Sequence, residues 1–203
     1  MIKAIIFDAG GVIIDSYKQN IEWQIIKDAI FRISRINAKK IKEIIYYGHR
    51  LEEGKIKTAD LITKVSLMFG VEKEKIRRYL LDEYFAKSAI NKEISKLIKQ
   101  LRKKYTIALL SNSIAEHTKF NKAKGRYKLF NPIILSCDVG LRKPLKEIYL
   151  LTLRKLRLKA SECIFVDDDR RCIKTARKIG MNAILFRNVW QLKRNFVKLG
   201  INL

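Results

Sequence analysis

The 203-residue chain predicts an α/β fold: a doubly wound parallel sheet with a block of helices inserted after its first strand. Three observations carry this. An apolar run, Lys3-Ala4-Ile5-Ile6-Phe7, opens the chain as a strand and ends on Asp8. About 70 residues of helical periodicity follow without a strand pattern. From residue 91 onward helical and strand patterns alternate, which implies parallel pairing through helical crossovers.

Taken in order, Asp8 is followed at once by Ala9-Gly10-Gly11, a turn, and a second short apolar run, Val12-Ile13-Ile14, ends at Asp15. Ile21, Ile25, Ile26, Ala29, Ile30 and Ile33 then recur at spacings of three and four, an amphipathic helix. Ile41, Ile44 and Ile45 repeat the stripe, and Gly48 is expected to loosen that second helix. Thr58 reads as the N-cap of a helix from Ala59 to Phe69, with Gly70 as its C-cap. A further helix covers about 73 to 85. These four helices define a helical cap, 16–89, inserted into a core made of 1–15 and 90–203. In the second core segment helix 91–103 leads to strand Thr106–Leu110, and an irregular or helical stretch leads to Ile133-Ile134-Leu135. Pro144 suits the first turn of helix 145–157. Strand Cys163–Val166, helix 170–179 ending at Gly180, strand Ala183–Phe186 and a last helix near 189–199 complete the order.

Composition supports one core domain with an inserted subdomain. Hydrophobic residues make up 48% of the chain, enough for a sizeable core. Charged residues make up 32%, and no apolar stretch approaches the roughly 20 residues of a spanning helix, so membrane insertion is not expected. The chain opens directly in a strand, which leaves no room for a signal peptide, and Cys137, Cys163 and Cys172 form no CxxC pair. Reduced thiols in a cytoplasmic protein are the expectation.

The net charge is +24. Residues 16–89 hold 16 basic and 10 acidic side chains, and the remainder holds 28 and 10. Half of those last acids, Asp8, Asp15, Asp167, Asp168 and Asp169, lie in or beside the candidate site. The basic charge is spread along many helices, so a solvated surface is the favoured reading, and nucleic-acid contact is expected to be weak and nonspecific. The densest stretch carries Lys119, Lys122, Lys124, Arg126 and Lys128, interleaved with Phe120 and Tyr127.

Four short motifs carry the chemistry. They are Asp8-Ala9-Gly10-Gly11, Leu110-Ser111-Asn112, Gly140-Leu141-Arg142-Lys143-Pro144 and Val166-Asp167-Asp168. Each ends an apolar run or precedes a helix, where open α/β sheets bind ligands. Together they supply a carboxylate nucleophile, a hydroxyl, a lysine and an acidic pair. That set suits phosphoryl transfer to an aspartate with a divalent cation. Adjacent carboxylates at 167–169 repel one another unless a cation is bound, although Asp169 is equally favoured at a helix start.

With Phe7-Asp8-Ala9-Gly10-Gly11-Val12, Ser111-Asn112, Gly140-Leu141-Arg142-Lys143-Pro144 followed by Ile148-Tyr149, and Asp167-Asp168 with Gly180-Met181, the chain resembles the haloacid dehalogenase-like (HAD) hydrolases. More narrowly, it is similar to the branch holding sugar-1-phosphate phosphatases and the N-terminal phosphatase domain of epoxide hydrolases. The resemblance implies a Rossmann-like core with a four-helix cap. It implies Asp8 as nucleophile, with Ser111 and Lys143 as its catalytic partners. Gly11, Ser111, the Asn112 amide and Lys143 would bind phosphate. Asp8, the Gly10 carbonyl and Asp168 would hold Mg²⁺, with Asp167 supporting them. Arg142 is expected at the surface or behind the site.

Two departures stand out. Gly10 occupies the position where many relatives carry an acid/base aspartate, so the leaving-group proton must come from water, substrate or Asp15, itself more often a cap-hinge residue. Cys172 stands where an asparagine is usual, which bears on capping of the following helix. The expected function is a Mg²⁺-dependent phosphatase acting on small phosphorylated metabolites, with sugar phosphates one candidate group. The alternatives are a 2-haloacid dehalogenase-type hydrolase and a catalytically weak nucleic-acid-binding relative. A monomer or homodimer is expected.

Overall fold

The computed structural model describes residues 1–15 and 38–202. The amphipathic stripe from Ile21 to Ile33 lies outside the described residues. Strands β1 (Ala4–Phe7), β4 (Thr106–Ser111), β5 (Ile133–Leu135), β6 (Cys163–Asp167) and β7 (Asn182–Leu185) form a five-stranded sheet in the order β5-β4-β1-β6-β7. Every pair in it is parallel. Central strands buried on both faces need uninterrupted apolar sequence, and Ala4-Ile5-Ile6-Phe7 supplies it.

The strand period of two divides the core into two layers. Ile5, Phe7, Ile107, Leu109, Ile164 and Val166 face one way, beneath α5 (Lys92–Leu101) and α10 (Val189–Lys198). Ala4, Ile6, Ala108, Leu110 and Phe165 face the other, beneath α8 (Lys146–Leu156) and α9 (Arg170–Lys178). Tyr149 of α8 fills the second layer, edge-on to Phe165 at 5.4 Å.

A two-stranded antiparallel ribbon, β2 (Ile14–Asp15) with β3 (Ala89–Ile90), brings the two ends of the inserted segment together. Within the insert, α1 (Ala38–Glu52) and α2 (Thr58–Phe69) precede α3 (Lys73–Arg77), which continues through a π turn (Arg78–Asp82) into α4 (Glu83–Lys87). Ile44, Leu51, Leu61, Val65, Phe69, Ile76 and Leu80 form a separate apolar cluster, joined by Ile114 from the loop after β4.

Several local expectations change. Gly48 is buried inside α1, and the helix runs through it unbroken. Thr58 is the first helical residue and its buried Oγ1 has no partner, while the Asp60 carboxylate accepts from the Lys57 N–H at 3.0 Å. Gly70 does close α2, at φ 66° with its N–H on the Ser66 carbonyl. Pro144 stands outside α8, because Leu145 after it is still extended (φ −67°, ψ 135°) and serves as N-cap. The aromatic interleaving of the basic stretch is internal: Tyr127 is buried, and Phe120 lies 4.7 Å from Phe85 of the insert. Among the described residues, no helix is long and apolar enough to cross a membrane.

Candidate active site

Asp8, Ser111 and Asp167 all stand at the carboxyl edge of the sheet, because each ends or directly follows a central parallel strand. Lys143 arrives from the loop between α7 (Ser136–Val139) and α8. The Asp8 N–H donates to the Val166 carbonyl at 2.9 Å, which extends the sheet by one residue. Its Oδ1 accepts from the Ala9 N–H at 2.7 Å.

The Lys143 ammonium sits 2.8 Å from Asp8 Oδ1 and 2.6 Å from Asp167 Oδ2. These charges are buried, and burial is tolerable only because they are paired. Burial pushes the Asp8 carboxyl up to about 7; Lys143 opposes the rise, and Asp167 and Asp168 add to it. For Lys143 burial opposes the charge, but Asp167 and Asp8 win and hold the ammonium well above its ordinary range.

Asp8, Asp167 and Asp168 each present a carboxylate oxygen within 4.8 Å of the others. Asp167 is already engaged at both oxygens, Oδ2 by Lys143 and Oδ1 by the Asp169 N–H at 2.7 Å. Asp168 is exposed, and its carboxylate lies directly against Gly11. A Cβ at residue 11 would collide with that carboxylate, and the backbone there is left-handed at φ +73°, so glycine is required twice over. Hard oxygen donors with room for water suit Mg²⁺.

Ser111 is buried, its hydroxyl donating to the Asn112 carbonyl at 3.2 Å. The Asn112 side chain brackets the lysine backbone: Oδ1 accepts from the Lys143 N–H at 2.8 Å and Nδ2 donates to the Lys143 carbonyl at 3.0 Å. Asp169 is the N-cap of α9, accepting from the Arg171 N–H at 2.7 Å. Cys172 therefore leaves capping intact; it is buried, and its carbonyl accepts from the Tyr149 hydroxyl at 3.2 Å. Asp15 is exposed on the β2–β3 ribbon and accepts from Asn91 Nδ2 at 3.2 Å.

Arg142 lies behind the site, one of the two places expected for it, and its partner Glu52 is a residue that sequence reasoning passed over. The Arg142 side chain is 12% exposed, and its Nε donates to Glu52 Oε2 of α1 at 3.0 Å. The same Glu52 oxygen accepts from Asn112 Nδ2 at 3.3 Å. Nothing local marks Glu52, one of two consecutive glutamates ninety positions from Arg142.

A family model described as haloacid dehalogenase-like hydrolase matches residues 2–180. The chain belongs to the haloacid dehalogenase-like hydrolases. Among relatives of this HAD chain, a D-ribitol-5-phosphate phosphatase of Bacteroides thetaiotaomicron is 29% identical over 193 residues, 89% of each protein. A flavin mononucleotide hydrolase of Arabidopsis thaliana is 40% identical over 67 residues. That match spans 33% of this chain and only 27% of the plant relative. A solved HAD-family enzyme from Bacteroides thetaiotaomicron, in complex with magnesium and inorganic phosphate, superposes with a TM-score of 0.68 over 95% of this chain and 99% of its own. At 21% identity that likeness speaks for the shared fold.

Proposed function

We propose that this HAD hydrolase is a Mg²⁺-dependent phosphatase of small phosphorylated metabolites, sugar phosphates among them, working through an aspartyl-phosphate on Asp8. The observation that carries it is the buried row Asp8–Lys143–Asp167 at the sheet edge, with Asp168 alongside. The ribitol-phosphate phosphatase relative, matched along most of both chains, and the structural neighbour holding magnesium and phosphate support it.

In this reading an Asp8 oxygen attacks phosphorus, the ester P–O bond breaks, and its electron pair leaves with the alcohol oxygen. Water then attacks the phosphoaspartate, releasing phosphate and restoring the carboxylate. Lys143 holds Asp8 in place and offsets its charge. The Ser111 hydroxyl and the backbone amides of Gly11 and Asn112 would receive phosphoryl oxygens. Asp8, Asp168 and the Gly10 carbonyl would hold Mg²⁺, which supplies positive charge against the phosphoryl oxygens. Residue 10 brings no acid, so the departing oxygen takes its proton from water or substrate; Asp15, held by Asn91 on the ribbon, fits a hinge better. Residues 16–89 would form the cap that encloses the substrate, its ends joined at the β2–β3 ribbon. A dehalogenase, which needs no metal, would leave the Asp168 carboxylate without a task.

The test is p-nitrophenyl phosphate hydrolysis with and without Mg²⁺. Metal-dependent turnover that falls below ~10% in Asp8→Asn is expected, since covalent catalysis does not survive losing its attacking group. Metal-independent turnover, or an active Asp8→Asn, contradicts the assignment.

A further inference from the structure

We propose that Glu52 is a positioning residue through which the inserted helices fix the active-site lysine, an assignment that rests on the phosphatase reading above. Glu52 ends α1, and its Oε2 reaches two core groups, Arg142 Nε at 3.0 Å and Asn112 Nδ2 at 3.3 Å. Asn112 in turn holds both the N–H and the carbonyl of Lys143. Lys143 meets Asp8 and Asp167. A continuous polar row thus runs from the insert to the nucleophile. Arg142 adds a second route, since it precedes Lys143 in the chain.

The row has a direction built into it. Asn112 must turn Nδ2 toward Glu52 and the Lys143 carbonyl, which leaves Oδ1 for the Lys143 N–H. With Glu52 withdrawn, one acceptor that fixes this amide orientation is gone. Other ion pairs of the insert, Lys64–Glu43 and Arg77–Asp82, close within it. Glu52 instead spends its charge on the core, where it is partly buried and Arg142 compensates it. Placement of a reacting group to within a fraction of an ångström governs rate strongly, so a cap residue that holds the lysine's backbone makes turnover depend on cap position.

The test combines kinetics on p-nitrophenyl phosphate with amide hydrogen exchange. Glu52→Ala should lower kcat by up to about 100-fold, with KM changed less. Glu52→Gln, which keeps a carbonyl acceptor, should recover much of the loss. The surface variant Glu43→Gln should match wild type. Glu52→Ala combined with Asn112→Ala should be no slower than Asn112→Ala alone, because both act through one row. Independently of turnover, the Lys143 amide should exchange about tenfold faster in Glu52→Ala, the loss of roughly one hydrogen bond, and unchanged in Glu43→Gln. Wild-type kcat in Glu52→Ala, losses that multiply in the double variant, or unchanged exchange at Lys143 each overturn the inference. A wild-type protein without Mg²⁺-dependent turnover overturns the phosphatase reading instead, and the exchange result still decides the row.

Discussion

The insert meets the core along two seams of opposite character. On one, His117 of α6 (Ala115–Ala123) stacks on Tyr84 at 3.6 Å and donates from Nε2 to the Leu80 carbonyl at 2.7 Å. Asn121 donates to the Tyr84 hydroxyl at 2.8 Å, and Arg126 grips both the hydroxyl and the carbonyl of Ser88 at 2.8 Å. On the other, Glu52 makes two polar contacts, one of them long. The first seam is buried, aromatic and redundant, and it holds the chain just before β3. The second is a pair of polar contacts that leads to Lys143. Aromatic pairs at about 0.5–1.5 kcal/mol each, added to buried hydrogen bonds of about 1 kcal/mol, concentrate stability in the first. If Glu52 acts as inferred above, the first seam holds the insert and the second carries its position to Lys143.

The largest expected effect breaks the first seam. His117→Ala should destabilise the protein by about 3 kcal/mol in urea unfolding, through a cavity and the orphaned Leu80 carbonyl. Glu52→Gln should cost about 1 kcal/mol or less. Equal losses would erase the distinction between the seams.

Acid sharpens the same contrast. Burial lowers His117 to about 4, with the Leu80 carbonyl opposing. A histidine held neutral in the fold but free to protonate when unfolded contributes stability above its unfolded value near 6.5. That contribution is lost as pH falls from about 6.5 toward 4, by about 3 kcal/mol in all. His117→Phe should flatten this part of the stability–pH curve; an unaltered slope would remove His117 as its source.

Magnesium should act at the acidic cluster itself, which the second seam reaches and the first does not. At a hundredfold excess over its Kd, it should add about 2.7 kcal/mol to unfolding free energy. Asp168→Ala should weaken this response more than Asp169→Ala, because Asp169 is committed to α9 and to Arg171 at 2.7 Å. Equal weakening would contradict the ligand assignment.

The smallest effect concerns the missing acid. The left-handed glycine of the turn after Asp8 is Gly11, and Gly10 has no positive φ, so an aspartate fits the backbone there. Gly10→Asp should accelerate alkyl phosphates more than p-nitrophenyl phosphate, whose leaving group needs less protonation. The reverse preference would mean that another group supplies the proton.

These residues differ in how visibly the chain announces them. Asp8, Ser111 and Asp167 are legible because apolar strands stop at each, and the strand pattern of a buried parallel sheet is unmistakable. Lys143 among 44 basic residues is singled out only by Gly140 and Pro144 around it. Glu52 and His117, and the partner of Arg142, are illegible for one shared reason: the residues that meet are remote in sequence, and periodicity records which face is buried, not what it meets. Thr58 and Pro144 misled because cap preferences are weak beside the local backbone path.

The proposed mechanism makes Asp8 the group that accepts the phosphoryl. Acid quenching of wild-type protein during turnover with Mg²⁺ and substrate, followed by peptide mass spectrometry, tests it most directly. A phosphoryl group on the peptide carrying Asp8, absent in Asp8→Asn and without Mg²⁺, is the predicted result. Turnover with the label on another residue would contradict it.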